Sequence, residues 1–296
     1  MSHFSVLVIR TKDSNTLEED MSRYDEGLDV EPHIYKTKED LIEDGKARVD
    51  ADQNRDEYKD LKTLSKEDWI SNHDRYPKGD SYYNYWKEKA TIIDKHLTGT
   101  ATDDDYHDYV ISPSDQVDED GNLLTTYNPD SKWDWYSEGG RWGGELAIKE
   151  SSQDEYDGAE RVDRAYAGDI DWAKMNSIEP EQLERYKRFW KYYVEEEPYP
   201  GTPEERKEEF RFIMGSPEYF KNRYKTVEGY IKSRSTWYTF AVVDAEGNWH
   251  EPGTMGWFGC SSASDEEERD WEREFTETFI DPLPDDAELI VLDCHI

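Results

Sequence analysis

The sequence predicts an α+β protein: a mainly antiparallel sheet that contains both chain termini, helices packed on one face, and an inserted helical subdomain. Three observations predict it. Val6-Leu7-Val8-Ile9 and Leu289-Ile290-Val291-Leu292 are continuous apolar runs bounded by polar residues, the pattern of strands covered on both faces. Three helix starts follow one another between residues 175 and 232. After them Thr236 to Val243, the turn-forming Asp244-Ala245-Glu246-Gly247-Asn248 and Trp249 read as a hairpin. The domain division expected is therefore residues 1–174 as the N-terminal part of the core with acidic excursions, 175–232 as the helical subdomain, and 233–296 as the C-terminal part of the core.

Each element has a local reason. Residues 36–64 carry Lys, Glu and Asp around scattered Leu, Ile and Val, which fits a solvated excursion better than core. From Asp80 to Leu97, Tyr82, Trp86, Ala90, Ile93 and Leu97 recur at three- and four-residue spacing, one face of an amphipathic helix. Asp120-Gly121-Asn122 is a turn before the run Leu123 to Tyr127, which predicts a hairpin. In the middle block Pro180 to Val194 places Leu183, Tyr186, Trp190 and Tyr193 on one side. Thr202 and Glu205 have capping-box spacing, and Pro203 and Pro217 stand at first helical positions, where a missing N–H costs nothing. The helix beginning at Ser216-Pro217 aligns Phe220, Tyr224, Val227 and Ile231. Trp271, Phe275 and Phe279 lie four apart on a last helix, which Pro282 and Pro284 end.

Charge excludes several function classes. The 296 residues carry 36 Lys plus Arg against 71 Asp plus Glu, a formal charge of -35. Nucleic-acid affinity comes largely from cations that displace condensed counterions, and no basic run is present, so direct DNA or RNA binding is not expected. An anionic membrane surface is disfavoured by the same sign, and no apolar run is long enough to span a bilayer. The N-terminal stretch lacks the basic flank and small-residue site of a secretion signal. Two cysteines, Cys260 and Cys294, are too few for a disulfide framework or a four-ligand zinc site. A reducing cytoplasm is the simplest setting. The chain still folds, because 11 Trp, 21 Tyr and 9 Phe supply the core area that aliphatic residues usually supply.

The most distinctive stretch is Tyr127-Asn128-Pro129-Asp130-Ser131-Lys132-Trp133-Asp134-Trp135-Tyr136, followed by Gly139-Gly140-Arg141-Trp142-Gly143-Gly144. Paired glycines allow close backbone approach, and Arg141 among indoles is suited to clamp an anion or stack on a flat ligand. On this reading Trp133, Trp135, Arg141, Trp142 and Trp257 line a ligand site. The competing reading makes the tryptophans core anchors and the glycines turns; under it Trp135→Ala unfolds the protein. A second constellation is His3, Asp293 and His295. Neighbouring terminal strands bring the three together, alternation puts Asp293 and His295 on one face, and two imidazoles with a carboxylate can bind zinc or iron or do acid/base work. Polar residues at strand ends for solvation are the alternative. Cys260 with His250 would make a nucleophile and base, against a buried aromatic turn. No Gly-Lys-Ser/Thr phosphate loop, GxSxG elbow or HExxH helix occurs, and the sequence names no cofactor.

Ser2 to Ile9, Tyr24-Asp25-Glu26, Val30-Glu31-Pro32, the block from Tyr127 to Trp142, Met255-Gly256-Trp257-Phe258-Gly259 and Asp293-Cys294-His295-Ile296 resemble an uncharacterised family of phage and prophage proteins. The resemblance implies a phage-associated, intracellular protein and supplies no catalytic residues. With the charge, it leads to the expectation of a phage-encoded protein that works in the host cytoplasm. There it would bind and inhibit a bacterial defence protein with a basic surface, its carboxylates standing at phosphate positions as a nucleic-acid mimic. The alternative is an enzyme or small-ligand binder using the Trp/Gly-rich segments. A virion assembly role has less support, since no fibre repeat or coiled-coil heptad is present.

Overall fold

The structure, a computed structural model, describes residues 2–73 and 79–296. In chain order the strands are β1 (His3–Arg10), β2 (His33–Lys36), β3 (Leu123–Thr125), β4 (Trp135–Glu138), β5 (Leu146–Ala147), β6 (Arg161–Val162), β7 (Arg164–Tyr166), β8 (Ala241–Val243), β9 (Trp249–His250) and β10 (Glu288–His295). The chain divides into two compact units, one of residues 1–28 with 128–296 and one of residues 29–127.

The first unit holds a sheet in the order β4-β10-β1-β8-β9, with β7 also on β10. The fold is α+β as expected, and the two terminal strands are its centre. β1 and β10 pair antiparallel along their whole length, from His3 opposite His295 to Arg10 opposite Glu288. β4 and β7 share the other edge of β10, β4 alongside Leu292 to His295 and β7 alongside Glu288 to Ile290. One pairing departs from the antiparallel expectation: β8 runs parallel to β1.

Both faces of this sheet are covered, which is why its two central strands read as unbroken apolar runs. Leu7, Ile9, Leu289 and Val291 point to one side and pack with Leu146, Ile148, Ile170 and Phe275. Phe4, Val6, Val8, Ile290, Leu292 and Cys294 point to the other and pack with Leu17, Met21, Tyr24 and Trp133. Fully burying such a side chain contributes about 1.5–3 kcal/mol. The expectation of helices on one face only is thus corrected. The helix Asp265–Phe275 covers the first face and the helix Leu17–Ser22 the second, each started by a reciprocal capping box, Ser264 with Glu267 and Thr16 with Glu19.

Between β7 and β8 the helices Pro180–Phe189, Pro203–Glu209, Pro217–Tyr224 and Val227–Ser235 gather Phe189, Trp190, Val194, Phe210, Phe220 and Tyr230 into their own aromatic cluster. Thr202 and Glu205 form the capping pair their spacing predicts. The apolar stripe from Phe220 to Ile231 belongs to two helices rather than one. Lys225 adopts φ 64°, which ends the first, and the Thr226 side chain accepts from the Gly229 N–H to start the second.

The second unit is built from helices Lys38–Asp52, Asp56–Asp60, Lys66–His73, Gly79–Leu97 and Asp103–Val110 with the β2–β3 pair. Trp86, Ala90 and Ile93 are buried on the long helix, as its periodicity predicts. Residues 36–64 are not a solvated excursion: Val49 and Tyr58 sit in a core with Trp69, Tyr106 and Tyr109. The strand after the Asp120-Gly121-Asn122 turn closes a short hairpin on its own upstream segment, with the Asp118 N–H donating to Asn122 O and the Leu124 N–H to Gln116 O around the Val117–Leu123 bridge, and it pairs on its other side with β2, distant in sequence.

Candidate functional site

β10 alternates, so Asp293 and His295 project from the face that carries Leu289 and Val291, and the register sets Ser5 and His3 beside them from β1. One face of the central pair therefore changes character along its length, apolar at Leu7, Ile9, Leu289 and Val291 and polar at His3, Ser5, Asp293 and His295. β4 extends the polar end, with Trp135 opposite His295 and Ser137 opposite Asp293.

The block from Asn128 to Trp142 reaches this edge through fixed anchors. The buried Asn128 side chain donates to the carbonyls of Arg23 (2.8 Å) and Asp25 (3.0 Å), and the Lys132 N–H donates to Tyr24 O (2.8 Å). Trp133 is buried in the core on the far face, edge-on to Tyr136. Two residues later Trp135 lies on the near face, 44 % exposed, its ring stacked on His295 at 5.2 Å. The two readings of the tryptophans thus apply to different residues: Trp133 and the half-buried Trp142 are packing anchors, whereas Trp135 is a surface ring at the polar end of the sheet. The backbone of Trp257 lies in a helical turn, Trp257–Gly259, that is pinned by Ser2, which donates to Gly256 O and accepts from the Gly259 N–H. The side chain of Trp257 lies outside the described residues.

Past β4 the chain turns on Gly139 (φ 69°) and Gly140 (φ 55°). Gly140 has no room for a side chain, because a methyl group there would stand 2.6 Å from Asp293 Oδ2 and closer still to its Cβ. This close approach lets the Arg141 N–H donate to Asp293 Oδ2 at 3.1 Å, while Asp293 Oδ1 lies 2.8 Å from His3 Nδ1. Asp293 is thereby satisfied on both oxygens although its side chain is only 4 % exposed. His295 has a matching partner, Asp134, whose Oδ1 lies 2.6 Å from Nδ1. The two imidazoles meet edge to face with centroids 4.9 Å apart, and His3 is also edge-on to Trp135 at 5.3 Å.

Sequence reasoning placed His3, Asp293 and His295 together and named Trp135 and Arg141 separately; the structure joins them in one cluster. One participant escaped it, Asp134, hidden inside the Trp133-Asp134-Trp135 motif; the close backbone approach read from the paired glycines is made by Gly140, against a residue 153 positions later. The carboxylates are engaged by ring nitrogens and a backbone N–H rather than aimed at a common point. Among the described residues no group of three or more His, Cys, Asp or Glu is arranged to hold a metal ion, so the geometry gives the zinc or iron reading no footing. No family model, no curated protein and no solved structure matches the chain.

The other predicted pair does not assemble. His250 Nε2 is bonded to Asp244 at 2.7 Å, and Cys260 lies exposed in the loop after residue 259, its carbonyl accepting from the Gly256 N–H. Cys294 is buried within the core, where loss of hydration, reinforced by the charge of Asp293, drives its thiol pKa well up and keeps it protonated. The described clefts of this unit include one of about 550 Å³ lined by Arg23, Tyr24, Lys132, Trp249, His250 and Trp271, in which Lys132 is already paired with Glu251 at 2.8 Å. No helix among the described residues is long and apolar enough to cross a membrane.

Proposed function

We propose that this is a phage-encoded acidic protein that binds a host protein with a basic surface and inhibits it, a bacterial defence protein being the expected target. The observation that carries this reading is the surplus of 35 carboxylates over cations on a folded aromatic core. Such a field accelerates encounter with a basic surface and rejects acidic competitors. The carboxylates are also presented on ordered elements. Asp103, Asp104 and Asp105 fill the first turn of one helix, and Asp265, Glu266, Glu267 and Glu268 that of another. In the sharpest form of the proposal surface carboxylates stand where a nucleic acid would place phosphates. The test is capture from bacterial lysate, followed by binding measurements with the purified partner. One basic protein, bound more weakly as salt rises and more weakly still by Asp103→Lys/Asp104→Lys, supports the proposal. Binding that persists unchanged at about 1 M salt, where screening acts within ~3 Å, overturns it.

A second reading has its own support. His3, His295 and Trp135 converge from three strands on one sheet end, with the Arg141 backbone N–H bonded to Asp293 beside them, which favours a small-ligand site there over scattered surface residues.

A further inference from the structure

At the polar end of the β1–β10 pair two imidazoles present unused nitrogens. A carboxylate only accepts hydrogen bonds, so the Nδ1 of His3 facing Asp293 and the Nδ1 of His295 facing Asp134 both carry their protons, leaving each Nε2 for something outside the protein. Neither Nε2 has a protein partner among the described residues. Neither is sealed away: among those residues the buried side-chain atoms lacking a partner belong to Asp20, Trp86, Trp133 and Arg223. Both therefore meet solvent, although the side chains of His3 and His295 are only 13 % and 8 % exposed.

Two further residues adjoin the cluster, Arg141 through its backbone N–H on Asp293 and Trp135 through its ring on His295. Arg141 is held at its backbone N–H by Asp293, but its exposed guanidinium makes no ion pair or hydrogen bond among the described residues. Trp135 stacks one face on His295 while 44 % of the residue remains exposed, so a flat aromatic surface adjoins the two imidazoles. Solvation of a strand end accounts for a single polar residue. It does not account for a nearly buried Asp293, two imidazoles oriented by separate carboxylates, and a glycine turn fitted against them, since burying ionisable groups costs free energy that simple polar strand ends avoid.

We infer that this end of the sheet binds a small ligand of the mononucleotide class, with a flat heterocycle on Trp135 and its phosphoryl oxygens on Arg141 and the imidazole Nε2 atoms. The guanidinium fork matches phosphoryl oxygens, an imidazolium bonded at Nδ1 to a carboxylate can donate its Nε2–H to another, and an indole face is the usual platform for a base. A charge of -35 repels a polyanion, so the ligand is a free nucleotide rather than a nucleic-acid strand. The inference rests on the small-ligand reading and names its ligand.

The experiment is an NMR titration of the histidine ring C–H signals of the full-length protein, with parallel calorimetry, using 5′-AMP, adenosine, inorganic phosphate and a short single-stranded oligonucleotide. His3→Gln and His295→Gln variants assign the two signals. 5′-AMP is expected to shift both and to bind about tenfold or more tighter than adenosine or phosphate alone, with Arg141→Gln and Trp135→Ala each weakening it by about tenfold. Both substituted side chains are exposed, and circular dichroism checks that the variants fold. Arg141-dependent phosphate binding with no gain from the adenine ring overturns the nucleotide class while leaving an anion site. Tighter binding of the oligonucleotide overturns the free-ligand assignment. Absence of any shift at His3 and His295 with all four probes overturns the ligand reading itself.

Discussion

Asp293 Oδ1 lies 2.8 Å from His3 Nδ1, and the same carboxylate accepts the Arg141 N–H through Oδ2 at 3.1 Å. One nearly buried side chain on the last strand therefore ties the first strand to the Gly139-Gly140 turn. Removing solvent from a carboxylate is unfavourable unless its oxygens are bonded, so the geometry of the turn and the position of the imidazole are coupled through Asp293.

Gly140→Ala tests that coupling. The residue has φ 55°, and an added methyl group would lie 2.6 Å from Asp293 Oδ2, so backbone strain and collision act together. A loss of at least about 2 kcal/mol in urea unfolding is expected. Gly158→Ala is the control, since Gly158 also has positive φ (78°) but meets nothing within 4 Å of the added carbon. Equal losses for the two variants would show that Asp293 does not press on the turn.

Trp133 and Trp135 are expected to separate cleanly. Trp133→Ala empties a buried site between Tyr24, Tyr136 and the strand core and should cost about 3–5 kcal/mol. Trp135→Ala removes a half-exposed ring stacked on His295 and should cost about 1 kcal/mol, leaving a folded protein. Denaturant midpoints measure both. If Trp135→Ala unfolds the chain, the ring belongs to the core and the surface assignment fails.

How far the sequence disclosed this arrangement follows from the range of each interaction. The period of two in Asp293-Cys294-His295 and the apolar runs in both terminal strands depend on neighbours along the chain, so the central pair and its shared polar face were legible. The split between Trp133 and Trp135 was not. Two residues at strand spacing should share a face, but regular pairing begins only at Trp135, while Trp133 makes an isolated bridge to Asp25. The core of residues 29–127 was obscured because Val49, Tyr58, Trp69, Tyr106 and Tyr109 come from four different helices, each otherwise faced with charge. The break at Lys225 had no signal at all, since its positive φ falls on a non-glycine residue and the apolar spacing runs on across it.

The thiols give a third expectation. Cys260 is exposed, whereas Cys294 is fully buried with its pKa driven up by desolvation. A thiol-specific chromogenic disulfide should therefore modify one cysteine in the native protein and both after denaturation. Cys260→Ser should abolish the native reaction. Rapid native modification of that variant would place Cys294 at the surface and contradict the packing of β10.

Acid should act in two opposing ways, and their balance can be measured. As pH falls from 7 towards the isoelectric region near 4.4, the negative charge diminishes and self-repulsion is relieved, so stability should rise. Below that the sign reverses. Hydrogen bonding from Arg55, opposed by partial burial, holds the Glu57 carboxyl near 2 instead of the usual 4.5; bonds from Lys95 and Thr102 hold Asp105 near 2 instead of 3.8. A carboxyl with a depressed folded-state pKa contributes stability that is complete above its unfolded value and disappears as pH falls through the folded one. The urea midpoint should therefore reach a maximum around the isoelectric region and decline between about 4.5 and 2. Glu57→Gln should be less stable than the parent at neutral pH and lose less on acidification, because the amide cannot take up the proton. An identical decline in Glu57→Gln would mean that the Arg55–Glu57 pair contributes nothing to the acid response, and a midpoint that keeps rising down to the lowest pH would mean that neither depressed carboxyl does.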